Sequence, residues 1–308
     1  MDSGGRIAAR TPLTAAAAGR HDATRPRRFR ALVARTLRTR GAGFGLVVVA
    51  VVLVTALGAD LIAPYHPNQL QEAGVLRAPS PAHWLGTDQL ARDVLSRIIY
   101  GTRTSMQAGV VSVGFALIAG VSMGLLAGYY RGWMDDLLML LVDALWSFPT
   151  LVLALAIAAS LGPGLTNAML AIGIVFTPVF TRLVRGQTLS VREREFILAA
   201  RAIGARPGRV MLRHIWPNVT APIIVQASLL VASAIVVEAA LSFLGLGIEP
   251  PAASWGSMLK GGYQYMQQAL WLSVAPGVAI FVTVLAFNLL GDGLRQALDP
   301  RLWRHGES

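Results

Sequence analysis

The sequence predicts an all-α, polytopic membrane protein with six transmembrane helices and with both termini in the cytoplasm. Of its 308 residues, 54% are hydrophobic and 14% are charged, whereas about a quarter of the residues of a soluble domain are charged. The apolar residues fall into long blocks, and a helix needs about 20 of them to cross a hydrocarbon core of about 30 Å. Six blocks reach this length, at residues 44–63, 106–129, 136–159, 165–184, 219–244 and 269–291.

A basic tail, residues 1–43, precedes the first block. The tail has many arginines and no apolar core, and the block after it is long enough to span, so a cleavable signal peptide is not expected. We interpret the charge of the tail as a topology signal, with attraction to anionic lipid as the alternative.

The fourth block is interrupted by Thr177-Pro178 and carries Arg182 near its end. A proline removes a backbone hydrogen bond from a helix, but neighbouring helices can satisfy the group that it frees. We therefore expect residues 165–184 to span the membrane as well.

The arginines set the orientation, because cytoplasmic loops of membrane proteins carry an excess of basic residues. Arginines are concentrated in the tail, in the loop 186–218 and in the C-terminal segment 292–308, which places all three in the cytoplasm. The entry segment, residues 64–105, and the outer loop, residues 245–268, have nearly balanced charge and are expected outside. Topology therefore accounts for the net charge of +11, and nucleic acid is not an expected partner.

Small residues recur every fourth position along the second block. Such a stripe allows another helix backbone to come close, either within this chain or in a second subunit. Its members are Ser112, Ala116, Gly120, Gly124 and Gly128.

The stretch EREFILAARAIGARPGRVMLRH, residues 193–214, predicts two short helices joined by a turn. Apolar residues at helical spacing favour a first helix, Gly204 can end it in a left-handed cap, and Pro207 suits the first turn of a second helix that ends at Pro217. The apolar residues of the first helix are Phe196, Ile197, Ala200 and Ile203.

A DNA-binding helix-turn-helix has a similar outline, but this stretch is tethered to a span at both ends and could not easily enter a groove of DNA. An amphipathic loop lying on the membrane surface is a stronger alternative. The interpretation that we favour is a helix presented to the groove of a cytosolic partner.

Polar residues inside the blocks are candidates for a translocation path, because burying them in lipid is costly. A hydrogen bond or ion pair between helices that fixes their packing is the alternative, which explains Asp143 equally well and is the preferred interpretation of Glu238. Arg182 and Arg185 are expected near the inner surface and therefore not as partners of these acids. The candidates are Asp143, Glu238, Ser242 and Asn288.

An intramembrane aspartyl protease needs two carboxylates close enough to share a proton. Asp143 and Asp292 are expected at different depths, and a G-x-G-D context is absent, so the sequence argues against this class. Asp292 is expected to cap or anchor a helix.

Other binding and energy-coupling chemistry is scarce in the sequence. It contains no cysteine, and His66 and His83 have no second ligand at metal spacing, so no metal site is predicted. A phosphate-binding G-x-x-x-x-G-K-[ST] loop is also absent. Uphill transport would therefore draw its energy from an ion gradient or from another subunit.

In the outer loop, Trp255 is expected to anchor at the membrane interface, with contact to a substrate-delivery protein as the alternative.

The loop 186–218 resembles the EAA loop of permeases from binding-protein-dependent ABC importers, in which E-A-A-x-x-x-G precedes a basic stretch and a proline. Leu198 stands where the pattern has Glu, which puts a salt bridge at that position in doubt. The matching residues are Ala199, Ala200, Gly204, His214 and Pro217.

Three further blocks resemble the same family, and in particular the C-type subunit of dipeptide, oligopeptide and nickel permeases. They are HWLGTDQLARDVLSRIIYGTRTSM (His83–Met106, with Ala91 where Gly is usual), EAALSFLGLGIEPPAASWGSMLKGG (Glu238–Gly262) and PGVAIFVTVLAFNLLGDGLRQALDPR (Pro276–Arg301). The resemblance extends over residues 44–302.

The resemblance implies a type I ABC importer permease in the cytoplasmic (inner) membrane, without an ATPase site of its own. Its partners would be a second homologous permease, two ATP-binding subunits or domains that hold ATP and Mg, an extracytoplasmic substrate-binding protein, and the lipid bilayer. No cofactor is expected on this chain. The loop would couple to the ATPase through Glu195, Ala199, Ala200, Arg201, Gly204, Ala205, Arg206, His214 and Pro217.

The expected solutes are di- and oligopeptides, with nickel or glutathione as alternatives. Two other classes remain open at this stage. A secondary transporter driven by an ion gradient should show internal repeats and broken helices that meet at mid-membrane. A structural subunit of a membrane complex would move nothing.

Overall fold

The computed structural model describes residues 41–298, which form ten helices and no β-strand. The basic tail up to residue 40 and the C-terminal segment from residue 299 lie outside this range. The helices are α1 (Ala42–Leu57), α2 (Ala59–Ile62), α3 (Val94–Tyr130), α4 (Trp133–Trp146), α5 (Thr150–Leu161), α6 (Leu165–Arg192), α7 (Glu195–Ala202), α8 (Pro207–Leu244), α9 (Trp255–Tyr263) and α10 (Trp271–Leu298).

Four helices of the described range, α3, α6, α8 and α10, are long and apolar enough to cross a membrane. They correspond to the second, fourth, fifth and sixth predicted blocks. Pro178 lies inside α6 without breaking it. Nearby, the hydroxyls of Thr177 and Thr181 donate to the carbonyl oxygens of Gly173 and Thr177, each at 2.9 Å.

The third predicted block is not one straight helix, which corrects the expectation for residues 136–159. α4 and α5 meet at 93°. The break falls at Ser147–Pro149, where the proline cannot donate a backbone hydrogen bond and disfavours helical dihedrals at the residue before it. Counting the bent pair as one span gives five candidate spans in residues 41–298.

The first predicted block, residues 44–63, does not form one continuous helix as expected. α1 ends at Leu57, after 16 residues, and Gly58 separates it from the single turn of α2. A continuous span needs about 20 residues. α1 packs against α10 and α3.

α3 begins at Val94, inside the stretch predicted as the entry segment. The carboxylate of Asp93 caps it by accepting from the backbone N–H and the hydroxyl of Ser96, at 2.8 and 2.7 Å. His83 Nδ1 lies 2.9 Å from the other oxygen of Asp93, so this buried histidine supports the cap. Ala91, where the family has Gly, has a φ of +58°, a dihedral that glycine adopts without strain.

The stripe of small residues on α3 packs against α6 of the same chain. This answers the question that the sequence left open. A Cβ added to Gly120 would lie 2.5 Å from Phe180 Cβ, and one added to Gly124 would lie 2.7 Å from the Thr181 carbonyl oxygen. At Gly128 it would lie 2.7 Å from Thr188 Cβ. The helices are therefore in contact along the stripe at distances that only glycine permits.

We predict that Gly124→Ala destabilises the fold, because its methyl group would meet the backbone of α6. Overpacking of this kind costs about 1–3 kcal/mol. Thermal unfolding of the purified protein in detergent measures the effect. Gly114→Ala on the same helix is the matched control, because a Cβ there meets no atom within 4 Å. Equal midpoints for the two variants would contradict the packing account.

Candidate functional site

α7 is a short helix held between α6 and α8. Arg194 has extended dihedrals and precedes the helix. Ile197 and Ala200 are buried, and Ile197 belongs to the same apolar cluster as Val191 and Val210. α7 therefore has one face fixed to the rest of the chain.

The apolar residues of α7 do not all share that face, which corrects the predicted pattern. Phe196 and Leu198 are exposed. Ile203, which directly follows the last residue of α7, is 87% exposed. Leu212, at the start of α8, is also exposed. Phe196, Leu198, Ile203 and Leu212 are called the coupling surface below. Four large apolar side chains left exposed on one short segment make this segment a candidate interaction site.

Gly204 ends α7 in a Schellman motif. The N–H of Ala205 donates to the Ala200 carbonyl at 3.0 Å, and the N–H of Gly204 donates to the Arg201 carbonyl at 3.0 Å. Gly204 has a φ of +82°, which confirms the predicted left-handed cap. A Cβ at Gly204 would meet no atom within 4 Å, so the backbone dihedral alone requires glycine.

The second short helix does not end at Pro217, contrary to the prediction. α8 runs from Pro207 to Leu244, with a π-helical turn at Val210–Ile215. Pro217 lies in the first turn of the α-helical part that follows, where its missing N–H costs least. The His214 carbonyl accepts from the Asn218 side chain at 2.7 Å.

The nine residues predicted to couple to an ATPase lie on or next to this element, with different exposures. Glu195, Ala199, Arg201, Gly204, Arg206 and Pro217 are exposed, Ala205 and His214 are half-buried, and Ala200 is buried.

Arginines attach α7 to the end of α3. Arg192 Nη1 donates to the Tyr129 carbonyl at 2.8 Å, and the Arg201 guanidinium lies 6.0 Å from the centre of the Tyr129 ring. Arg131 pairs with Glu193 at 3.3 Å. These contacts fix the orientation of α7 relative to the pair of helices α3 and α6.

Asp143 forms an ion pair with Arg182, contrary to the expectation that Arg182 lies too far away. Arg182 Nη2 donates to the carboxylate at 2.6 Å, and its guanidinium lies 4.2 Å from the centre of the Trp146 ring. Arg185 makes a bidentate pair with Asp135, at 2.6 and 2.7 Å. α4 packs against α6, so the two side chains meet across the contact between these helices.

Glu238 forms a buried contact between α8 and α3. The carboxylate accepts from the hydroxyl of Ser242 at 2.7 Å and from that of Ser105, on α3, at 3.2 Å. Glu238 is fully buried. The bond from Ser105 to Glu238 is therefore an interhelical hydrogen bond, whereas the bond from Ser242 to Glu238 lies within α8, and Asn288 is exposed on α10.

Trp255 is buried, which corrects its assignment as an interfacial anchor. Its indole N–H donates to the Ile98 carbonyl at 3.1 Å, and a Cβ at Gly101 would lie 3.2 Å from its ring. Its backbone N–H points to Ser105 Oγ at 3.4 Å. Trp255 therefore belongs to the same packing as Glu238.

A cavity of about 570 Å³ opens at the bend between α4 and α5. Residues of the bend line one side, and residues of α6 and α8 line the other, among them Ser147, Phe148, Pro178 and Ser233. Sequence analysis missed this cavity, although the Ser-Phe-Pro run inside an apolar block was a signal for it. Irregular backbone at membrane depth is tolerated where it lines a cavity or lies in protein.

Comparison with known proteins identifies the family. The family of the binding-protein-dependent transport system inner membrane component matches residues 120–304. The chain belongs to this family. It is an inner-membrane permease of the ABC importer type, which confirms the resemblance seen in the sequence. Because ABC importers of this family rely on ATP hydrolysed by partner subunits, the ion-gradient carrier is not supported.

Named relatives cover most of the chain. The dipeptide transport system permease protein DppC of Alkalihalophilus pseudofirmus is 46% identical over 84% of this chain and 85% of its own length. The glutathione transport system permease protein GsiD of Pectobacterium atrosepticum is 44% identical over 82% and 85%. The di/tripeptide transport system permease protein DppC of Pseudomonas aeruginosa is 44% identical over 85% and 89%.

A solved structure shares the fold. A chain of the MetNI methionine ABC transporter, in an inward-facing conformation, superposes with a TM-score of 0.54 at 20% identity. The match covers 67% of this chain and 96% of that chain.

We predict that Gly204→Ala loosens the end of α7, because a left-handed dihedral costs a residue with a Cβ about 1 kcal/mol. Amide hydrogen exchange at residues 204 and 205 should be faster by about fivefold. Gly208→Ala is the control, because Gly208 also has open space around it but no positive φ. Equal exchange in both variants would mean that the cap does not depend on Gly204.

Proposed function

We propose that this chain is one of two membrane permease subunits of an ATP-driven importer of short peptides. ATP and Mg are bound by two separate ATPase subunits or domains, and an extracytoplasmic binding protein delivers the solute. Both termini and α7 face the cytoplasm. The observation that carries the proposal is the coupling surface, a set of exposed apolar residues on and beside a short helix that has one buried face, is capped by Gly204 and lies between the spanning helices α6 and α8.

α7 is suited to receive a displacement from a partner. Its buried face and the Arg192 and Arg201 contacts with Tyr129 tie it to α3, while the coupling surface stays free to enter a cleft. The exposed Arg201 and Arg206 add charge beside that surface. A conformational change follows if the partner binds this surface better in one of two states.

α6 is suited to pass the displacement into the membrane. Its last residue, Arg192, is separated from α7 by two residues, and its Arg182 and Arg185 hold α4. α4 leads to the bend at Ser147–Pro149 and to the cavity beside it. Asp143 thus links α6 to the helix that leads to this cavity, which we take as part of the translocation path.

Short peptides are the solute class that the relatives support. Two of the relatives described are named for dipeptide or di/tripeptide transport and one for glutathione, which is itself a modified tripeptide. We take di- and tripeptides as the solutes, with glutathione as the second candidate because of its 44% identical relative.

We predict that Gly204→Pro or Arg201→Glu uncouples transport from ATP hydrolysis. The first change breaks the cap of α7 and the second reverses the charge beside the coupling surface. Dipeptide uptake by the assembled transporter in proteoliposomes should fall at least tenfold, while membrane insertion is unchanged.

Gly208→Ala serves as the control for this experiment and should transport at the normal rate. Normal uptake and normal ATPase association in both Gly204→Pro and Arg201→Glu would refute the coupling role.

We also predict that Asp143→Asn slows uptake several-fold with little effect on stability, because an exposed ion pair stabilises a fold by only about 0–1 kcal/mol. The double variant Asp143→Arg with Arg182→Asp should recover part of the rate. Asp60→Asn is the control, since it removes the exposed pair with Arg103 far from α4 and α6 in the chain. A normal rate for Asp143→Asn would show that the pair takes no part in transport.

A further inference from the structure

A second, smaller cavity of about 170 Å³ lies where the entry segment meets α3, the outer loop and α9. Arg92 and Arg97 line it, and they are only 8% and 6% exposed. Asp88, 6% exposed, is the one carboxylate among the lining residues. The residues that line the cavity therefore carry two positive charges and one negative charge, which is an excess of one positive charge.

Asp88 already forms an ion pair with Arg92. One carboxylate oxygen of Asp88 accepts from Arg92 Nε at 2.7 Å, and Arg92 Nη2 lies at the same distance from it. The other oxygen accepts from two backbone N–H groups. Arg97 Nε is 3.6 Å from the carboxylate, beyond hydrogen-bond range. Arg97 therefore shares the carboxylate of Asp88 with Arg92, at a longer distance, although a buried cation is costly unless it is paired.

The guanidinium of Arg97 is nevertheless held in place. Its Nη1 donates to the carbonyl of Pro67 at 3.1 Å, to the side chain of Asn68 at 3.2 Å and to the carbonyl of Pro251 at 3.4 Å. Within residues 41–298 its Nη2 makes no hydrogen bond, and neither does Nη1 of Arg92. The pocket therefore presents fixed donors that are free to bind another group.

The ligand that fits these donors is a carboxylate. The planar fork of a guanidinium matches the two oxygens of a carboxylate, and a single negative charge would balance the excess. Val94, Met258 and Leu272 also line the cavity and would pack against the carbon atoms next to such a group. We propose that this pocket binds the carboxylate of a small organic acid, the class to which the C-terminus of a short peptide belongs.

The solute is a better source of this carboxylate than an acidic side chain of a docking protein. The arginines are more than nine-tenths buried, so a side chain on another protein would have to enter the cavity to reach them. This inference rests on the proposed function in two respects: the side of the membrane that the pocket faces, and the identification of the solute as a peptide.

The experiment measures the thermal unfolding midpoint of the assembled transporter in lipid nanodiscs, without the binding protein. Sodium acetate is compared with sodium chloride at equal ionic strength, and the dipeptide Ala-Ala is compared with its C-terminal amide. Acetate and Ala-Ala should raise the midpoint by a few degrees, because a ligand that binds the folded state stabilises it. The chloride salt and the amide should not.

Two variants remove the site without disturbing Arg97. Arg92→Gln leaves Asp88 to balance Arg97. Gly261→Val fills the cavity, since its Cβ would meet only the flexible end of Gln89, at 3.0 Å. Both should lose the shift, and Gly277→Val should keep it, because Gly277 has open space around it and does not line the cavity.

No shift in the wild-type protein, or an equal shift in all four proteins, would overturn the inference. A shift with acetate but none with Ala-Ala would overturn the solute as the source of the carboxylate. If the wild-type complex shows ATP-driven dipeptide uptake but acetate does not raise its unfolding midpoint, this inference is refuted and the proposed function stands. If the wild-type complex shows no such uptake, the proposed function is refuted instead.

Discussion

The close approach of α3 and α6 is the contact on which the rest of the structure depends. In a bilayer the hydrophobic effect does not hold helices together, because lipid tails are as apolar as the side chains. Contact between backbones must do so, and at Gly120, Gly124 and Gly128 there is no room for a single methyl group. The position of α6 relative to α3 is therefore fixed along much of its length.

Everything proposed for transport is attached to this pair of helices. α6 ends beside α7. Arg192, the last residue of α6, donates to the Tyr129 carbonyl on α3, and the guanidinium of Arg201 on α7 lies 6.0 Å from the centre of the Tyr129 ring. Arg182 and Arg185 of α6 hold α4, which ends at the bend and its cavity. A force on the coupling surface therefore meets a continuous set of packed and ion-paired elements, and one spanning helix connects the surface to the wall of the cavity.

The sequence predicted the features that depend on local chemistry. Apolar blocks located the long helices, and the left-handed dihedral at Gly204 followed from the need to end α7. It did not predict features that depend on tertiary contacts. The 93° bend lies in a block as apolar as its neighbours, the pairing of Asp143 with Arg182 depends on how α4 packs against α6, and Trp255 is buried against Gly101 on α3. The coupling residues remain a prediction, because no contact with an ATPase has been observed.

The most direct test of the central claim is a distance measured between spin labels at Ser122 on α3 and Ala199 on α7, both exposed, in a chain without native cysteines. Labels would be placed on Ser122→Cys with Ala199→Cys in the assembled transporter, with and without a non-hydrolysable ATP analogue. If α7 is rigidly joined to the α3–α6 pair, the distance distribution stays the same although the transporter changes state. A shift of several ångströms between the two conditions would show that α7 moves independently and would contradict the account.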